Sequence, residues 1–195
     1  MVNKQIPRIL LMWLLGVTLV SACAALPPQQ ATLLPRGQTG IDELDTIIST
    51  VLNGSKSDLI PLLGFTQTSC TLAEGLGGPP KCLEGEKEGT PVEVLPFLGP
   101  GEGSFIRKQD IGSWQGLDVS ELYAAYQVSD KAYSEKDYPA GDYALVFIDS
   151  NNQGGITLQV RNGRIIRIDY SFGYPPEIPQ ENVVKFLTAP IEVDQ

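Results

Sequence analysis

The run Tyr143-Ala144-Leu145-Val146-Phe147-Ile148 is apolar on both faces. A strand of that composition has no side to show to water, so it must lie inside a sheet that is covered above and below. The neighbours it needs are present. Residues 65–70, 92–98, 104–108, 122–128, 155–161 and 164–172 carry short apolar or alternating patterns bounded by turn residues, and read as strands. From residue 122 to 172 they read as one antiparallel meander. In its last hairpin, a two-residue turn at Asn162-Gly163 sets Leu158 against Arg167 and Ile156 against Asp169. A three-residue loop at Arg161-Asn162-Gly163 instead sets Leu158 against Ile166 and Ile156 against Ile168, and is the expected register. It gathers Ile166, Ile168, Tyr170 and Phe172 into one buried stripe and turns Arg167, Asp169 and Ser171 outward.

Helical spacing is found ahead of the strands. Ile41, Leu44, Ile47, Ile48, Val51 and Leu52 recur on one face, Thr39 stands ready to cap the start with Asp42 three residues later, and Asn53-Gly54 supplies the stop. A shorter helix follows, capped by Ser57, with Leu59, Leu62 and Leu63 on its apolar side and Pro61 tolerated in the first turn. A last helix is expected over residues 180–187, with Val183, Val184 and Leu187 as its contacts. The expected fold class is therefore α+β: an N-terminal helix pair packed on a curved, mainly antiparallel sheet ending in a β-meander, in one domain over residues 40–195. The helix pair from Val51-Leu52-Asn53-Gly54 to Leu62-Leu63, followed by Asn162-Gly163-Arg164-Ile165-Ile166-Arg167-Ile168, resembles the NTF2-like (SnoaL-like) superfamily over residues 40 to 172. That resemblance implies a cone-shaped sheet closed by helices around a pocket. Enzymes of the superfamily usually place histidine or carboxylate groups there, and this chain has no histidine.

The beginning of the chain carries an address. Lys4 and Arg8 precede an apolar run from Ile9 to Val20, and small residues lead to a cysteine. This reads as a secretory signal peptide over residues 1–22. Val20-Ser21-Ala22-Cys23 resembles the lipobox of bacterial lipoproteins, which implies a diacylglycerol on Cys23 and a mature chain that starts there. An uncleaved anchor helix and an ordinary secretory cleavage are the two competing readings. Residues 23–39, with three prolines and almost no charge, read as the lipidated cysteine and a flexible tether. Losing Lys4 and Arg8 with the signal leaves 12 basic against 23 acidic residues, a net charge of −11. Such a body is a poor partner for nucleic acid or anionic lipid. The membrane partner is therefore reached through two acyl chains on Cys23, each buried methylene contributing about 0.8 kcal/mol. The expected location is the outer face of a bacterial membrane.

Besides Cys23 there are two cysteines, Cys70 and Cys82, in a segment rich in glycine and proline. In an oxidising compartment the expected state is a disulfide, with two free buried thiols or a redox pair as the alternatives. Two cysteines without histidine do not close a zinc site, and no metal or other cofactor is expected. Between them, Gly75-Leu76-Gly77-Gly78-Pro79-Pro80-Lys81 reads either as a stapled turn or as a loop whose glycines admit a partner to the backbone. Glu74 and Lys81 are its candidate polar contacts. The segment lacks the Gly-Lys-Ser/Thr of a phosphate-binding loop, and residues 149–154 start like a calcium loop but reach Val160 where its closing glutamate belongs.

The absence of histidine excludes Ser-His-Asp and Cys-His catalysis and histidine-ligated metals. Carboxylate and tyrosine chemistry remains open, with no spacing that singles out a pair. Trp114, Tyr123, Tyr126, Tyr133 and Tyr138 cluster in sequence, either as core and rim packing or as a small-molecule or glycan surface. Trp114, Tyr123 and Tyr126 are the candidates for ligand contact. The leading expectation is a non-catalytic module that binds a ligand or an envelope protein. The alternative is a small hydrolase or isomerase of the NTF2-like kind.

Overall fold

The computed structural model describes residues 37–75 and 78–192. The expected signal peptide and Cys23, and the tether up to residue 36, lie outside the described residues. The described chain is mainly β. One sheet of eight strands is built from β1 (Thr66–Ser69), β2 (Pro91–Leu98), β3 (Gly103–Arg107), β4 (Val119–Val128), β5 (Tyr143–Asp149), β6 (Gly154–Arg161), β7 (Arg164–Phe172) and β8 (Val183–Thr188). Their order is β1-β2-β7-β6-β5-β4-β8, and β3 pairs with β2 as well. The sheet is mixed: β2 and β7 run parallel through Phe97–Ile168 and Leu98–Asp169, and the remaining pairs are antiparallel.

The α+β expectation, with its helix pair on a mainly antiparallel sheet, is overturned. Only α1 (Asp42–Asn53) is a helix of several turns. α2 stops after Lys56–Leu59 and tightens into a 3-10 turn over Ile60–Leu62, because Pro61 offers no N–H to carry the α-helix on. The cap of α2 is Ser55 and not Ser57: its backbone N–H and its hydroxyl both donate to Asp58, at 2.8 and 2.7 Å. Ahead of α1, Thr39 turns to Asp45 instead of Asp42, donating from its N–H and hydroxyl at 2.7 and 2.8 Å. The expected last helix is a 3-10 turn over Gln180–Asn182 followed by β8. The outer edge of β4 is open to another strand, and Phe186 and Lys185 pair there with Tyr126 and Gln127. An available sheet edge outweighs a marginal helical spacing in a segment whose valines favour extended backbone.

Both faces of β5 are covered, as its composition demands. On one face Leu44, Ile47, Ile48 and Val51 of α1 pack with Leu145, Phe147, Leu158, Ile165 and Ile168. Burying those four helix side chains contributes on the order of 8 kcal/mol before entropic costs. On the other face Tyr123, Tyr126, Ala144, Val146 and Ile148 meet Ile178, Val183 and Phe186. The chain between β7 and β8 reaches that second face at Pro176, which is buried. A Cβ on Gly155 would come within 2.7 Å of the Pro176 ring, so the missing side chain is what lets the segment close on β6.

The β6–β7 hairpin differs from the expected register. Its turn is the two residues Asn162-Gly163, with φ of 50° and 66°, the left-handed pair of a type I′ turn. Val160 pairs with Ile165, the next pair is Gln159 with Arg167, and Ile166 is left over as a bulge. The bulge shifts the alternation by one residue. Leu158 therefore faces Ile168 and Ile156 faces Tyr170. Ile165 and Ile168 both reach the helix-covered core, and Arg167 and Asp169 turn to the second face. The expected stripe fails accordingly: Phe172 is 83% exposed, whereas Arg167 is 3% exposed.

Candidate functional site

The second face of the sheet carries a polar patch inside an apolar surround. Thr157 and Gln159 on β6 lie beside Arg167 and Asp169 on β7. Arg167 grips Asp169 with both edges of the fork, Nε to Oδ1 at 2.7 Å and Nη2 to Oδ2 at 2.9 Å. Its Nη1 donates to the carbonyls of Tyr138 and Tyr133 at 2.7 and 3.1 Å. Gln159 donates to Asp169 Oδ2 at 3.1 Å and accepts from the Gly141 N–H at 3.0 Å. This network fastens the loop between β4 and β5 to the sheet. Arg167 and Gln159 are thus held by protein groups, and an unpaired charge at this depth would cost several kcal/mol.

Beside the network is a cavity of about 220 Å³. Its floor is made by Tyr126, Val146, Thr157 and the Arg167–Asp169 pair, and its rim by Tyr133 on one loop and Glu177 to Asn182 on another. The second rim is tied to the end of β4, since Ser129 donates from its N–H to the Asn182 carbonyl at 2.9 Å and from its hydroxyl to the Glu181 carbonyl. Tyr126 is 5% exposed. Its side chain lines the cavity, and its hydroxyl makes no hydrogen bond to another described residue. Burial pushes this phenol up to about 12, helped by the Asp169 charge and opposed by Arg167. Burial likewise raises the Asp169 carboxyl, against the pull of Arg167 and Gln159, and raises the Tyr170 phenol. The Tyr133 ring lies 5.8 Å from the Arg167 guanidinium carbon.

Lys81 and the cysteines meet elsewhere. Cys70 and Cys82 form a disulfide, with Cys70 1% exposed against Val92 and Val94. The stapled loop and β3 flank an open groove of about 760 Å³, lined by Pro79, Lys81 and Leu83 on one side and Gly103 to Arg107 on the other. Lys81 is used within the loop, its Nζ donating to the Ala73 carbonyl at 2.9 Å. Glu74 is exposed on the same loop. Arg107 holds the loop down through a forked pair with Glu86 at 2.8 and 2.7 Å and a bond to the Lys81 carbonyl at 2.7 Å. The hydrogen bonds from Arg107 pull the Glu86 carboxyl down to about 2. Cys70, Cys82 and Glu86 cluster as metal ligands would, but these sulfurs are bonded to each other and the carboxylate is occupied by Arg107.

The aromatic candidates are split between the two faces. Trp114 is 6% exposed in the helix-side core, with its ring 6.3 Å from that of Phe97. Tyr123 and Tyr126 belong to the opposite face, and of the three only Tyr126 lines the 220 Å³ cavity. The residues missed in the sequence are Arg167, Asp169, Gln159 and Thr157. Their signal is present: two polar residues at i and i+2 on each of two adjacent, otherwise apolar strands. Only the bulge puts both pairs together. Comparison of the chain with family models, with curated proteins and with solved structures finds no match.

Proposed function

We propose that the protein is a lipid-anchored, extracytoplasmic binding module that holds a small ligand in the Tyr126 cavity. The observation that carries this reading is Tyr126: a side chain 5% exposed that lines the cavity and whose hydroxyl makes no hydrogen bond to another described residue. Water reaches this hydroxyl in the open cavity, and a ligand atom that bonds to it takes that water's place. The carboxylates at the cavity are not arranged as an acid–base pair. Asp169 is bound on both oxygens, and Glu177 is an exposed rim residue. Binding is therefore favoured over chemistry.

The Cys70–Cys82 disulfide is compatible with an oxidising compartment. Among the described residues no helix is long and apolar enough to cross a membrane. Attachment is assigned to the acyl chains on Cys23, the cleaved start of the mature chain, since an acidic body gains nothing from an anionic lipid surface.

Two measurements test the two halves. The mass of the mature N-terminus should show a diacylglyceryl group on Cys23, and an unmodified terminus overturns the anchor. For the pocket, the protein with isotope-labelled tyrosine rings is titrated in NMR with methyl glucoside, tetramethylammonium, acetate and inorganic phosphate. Saturable shifts of the Tyr126 ring with any of them support the reading. No shift with all four overturns it.

A further inference from the structure

The polar groups around the cavity indicate what kind of ligand it takes. This step rests on the reading of the cavity as a ligand site. Arg167 and Asp169 neutralise each other at 2.7 and 2.9 Å, so the floor presents no free charge. An anion such as phosphate finds no unpaired cation there, and the only other charged group, Glu177, stands on an exposed rim residue. The groups with unspent hydrogen-bonding capacity are neutral. They are the Tyr126 and Thr157 hydroxyls and the Asn182 side-chain amide, none of which bonds to another described residue, and each both donates and accepts.

A ligand that satisfies such a set must itself donate and accept at several points around a small frame. Hydroxyl groups do this, and carboxylates or ammonium groups do not. The volume gives the size. At about 220 Å³ the cavity holds the equivalent of roughly seven liquid waters, and it falls below the usual range for drug-sized ligands. The lining also includes the aromatic residues Tyr126 and Tyr133, the second 47% exposed at the mouth, whereas the Tyr170 ring turns to the other face and stacks on Phe97 at 6.3 Å. Tyrosine rings offer an apolar surface with a polar tip, matching a ring whose C–H face is apolar and whose rim is hydroxylated.

We propose that the Tyr126 cavity binds one neutral sugar ring, with the Tyr126 and Thr157 hydroxyls and the Asn182 amide bonding to its hydroxyls and the tyrosine rings packing on its C–H face. The Arg167–Asp169 pair supports the floor and keeps it free of net charge.

The test uses the membrane-extracted protein and a probe panel: the methyl glycosides of glucose, galactose, mannose and N-acetylglucosamine, the disaccharide cellobiose, tetramethylammonium and inorganic phosphate. Saturable tyrosine-ring shifts with at least one sugar, and none with the two ions, are expected. Binding of a monosaccharide glycoside alone assigns a free sugar, and binding of cellobiose at least as tightly assigns a chain end. Tyr126→Phe and Thr157→Val should each weaken that sugar by roughly two- to tenfold, the worth of one net hydrogen bond. Thermal unfolding of both variants checks that the fold is kept, and either variant that keeps it suffices. Binding of an ion with no sugar overturns the sugar assignment and leaves the pocket reading standing. Silence across the whole panel overturns both.

Discussion

Arg167→Met removes a cation whose side chain is 4% exposed while leaving its partner in place. Asp169 then loses two bonds of 2.7 and 2.9 Å and keeps only Gln159, and the carbonyls of Tyr138 and Tyr133 lose their donor. Breaking a buried ion pair from one side costs about 3–5 kcal/mol. The Asp169 side chain is 20% exposed, which lets water relieve part of the charge and places the cost at the lower end, about 3 kcal/mol. Against a typical domain stability of about 5–15 kcal/mol, this is a large loss. Urea unfolding at neutral pH measures it, with the midpoint falling and the slope unchanged. The variant Arg167→Met with Asp169→Leu removes both charges. It should recover at least about 1 kcal/mol relative to Arg167→Met alone, because no uncompensated carboxylate is left behind. A single variant that costs under about 1 kcal/mol, or a double variant less stable than the single one, would refute the account of a buried, mutually dependent pair.

Three further outcomes are expected. The Glu86 carboxyl sits near 2, below its ordinary value of 4.5; the closed loop therefore binds this proton less tightly than the open one, and its hold is complete above about 4.5 and drains as pH falls toward 2. Amide protection factors in residues 83–90, taken relative to the intrinsic exchange rate at each pH, should fall across that window, and unchanged protection contradicts the Arg107–Glu86 latch. Replacing both Cys70 and Cys82 by alanine opens a loop of sequence separation 12 and should cost about 3 kcal/mol in denaturant unfolding; a loss below about 1 kcal/mol contradicts a stabilising staple. Tyr138 has the one buried side-chain polar atom without a partner among the described residues, so Tyr138→Phe should leave the unfolding free energy unchanged or raise it by up to about 1 kcal/mol, and a loss of more than about 1 kcal/mol would reveal a bond to that hydroxyl.

The strands were largely legible in the sequence, because a run such as Tyr143–Ile148 can be buried in few ways. α1 was legible for the same reason, its four buried residues falling at helical spacing. What composition did not settle was decided by pairing. Val183 to Leu187 fits a helix in isolation and becomes β8 because β4 has an edge to fill. In the β6–β7 hairpin, period-2 alternation alone opposes Leu158 to Arg167 across a two-residue turn and so favours a three-residue loop. The chain uses that turn and removes the mismatch with one extra residue, Ile166, inside the strand. The candidate site followed from that bulge. Without the bulge, strict alternation turns Arg167 and Asp169 to solvent and away from Tyr126. Lys81 and Glu74 stand out in the sequence by their glycine-rich loop, where Lys81 closes a bond within the loop itself.

The most direct test of the account is an intermolecular NOE experiment on the protein with the tightest-binding methyl glycoside. Sugar ring protons should show cross-peaks to the rings of Tyr126 and Tyr133, and these should vanish on addition of an unlabelled competitor. Cross-peaks confined to the groove beside the Cys70–Cys82 loop, or to the exposed ring of Phe172, would contradict it.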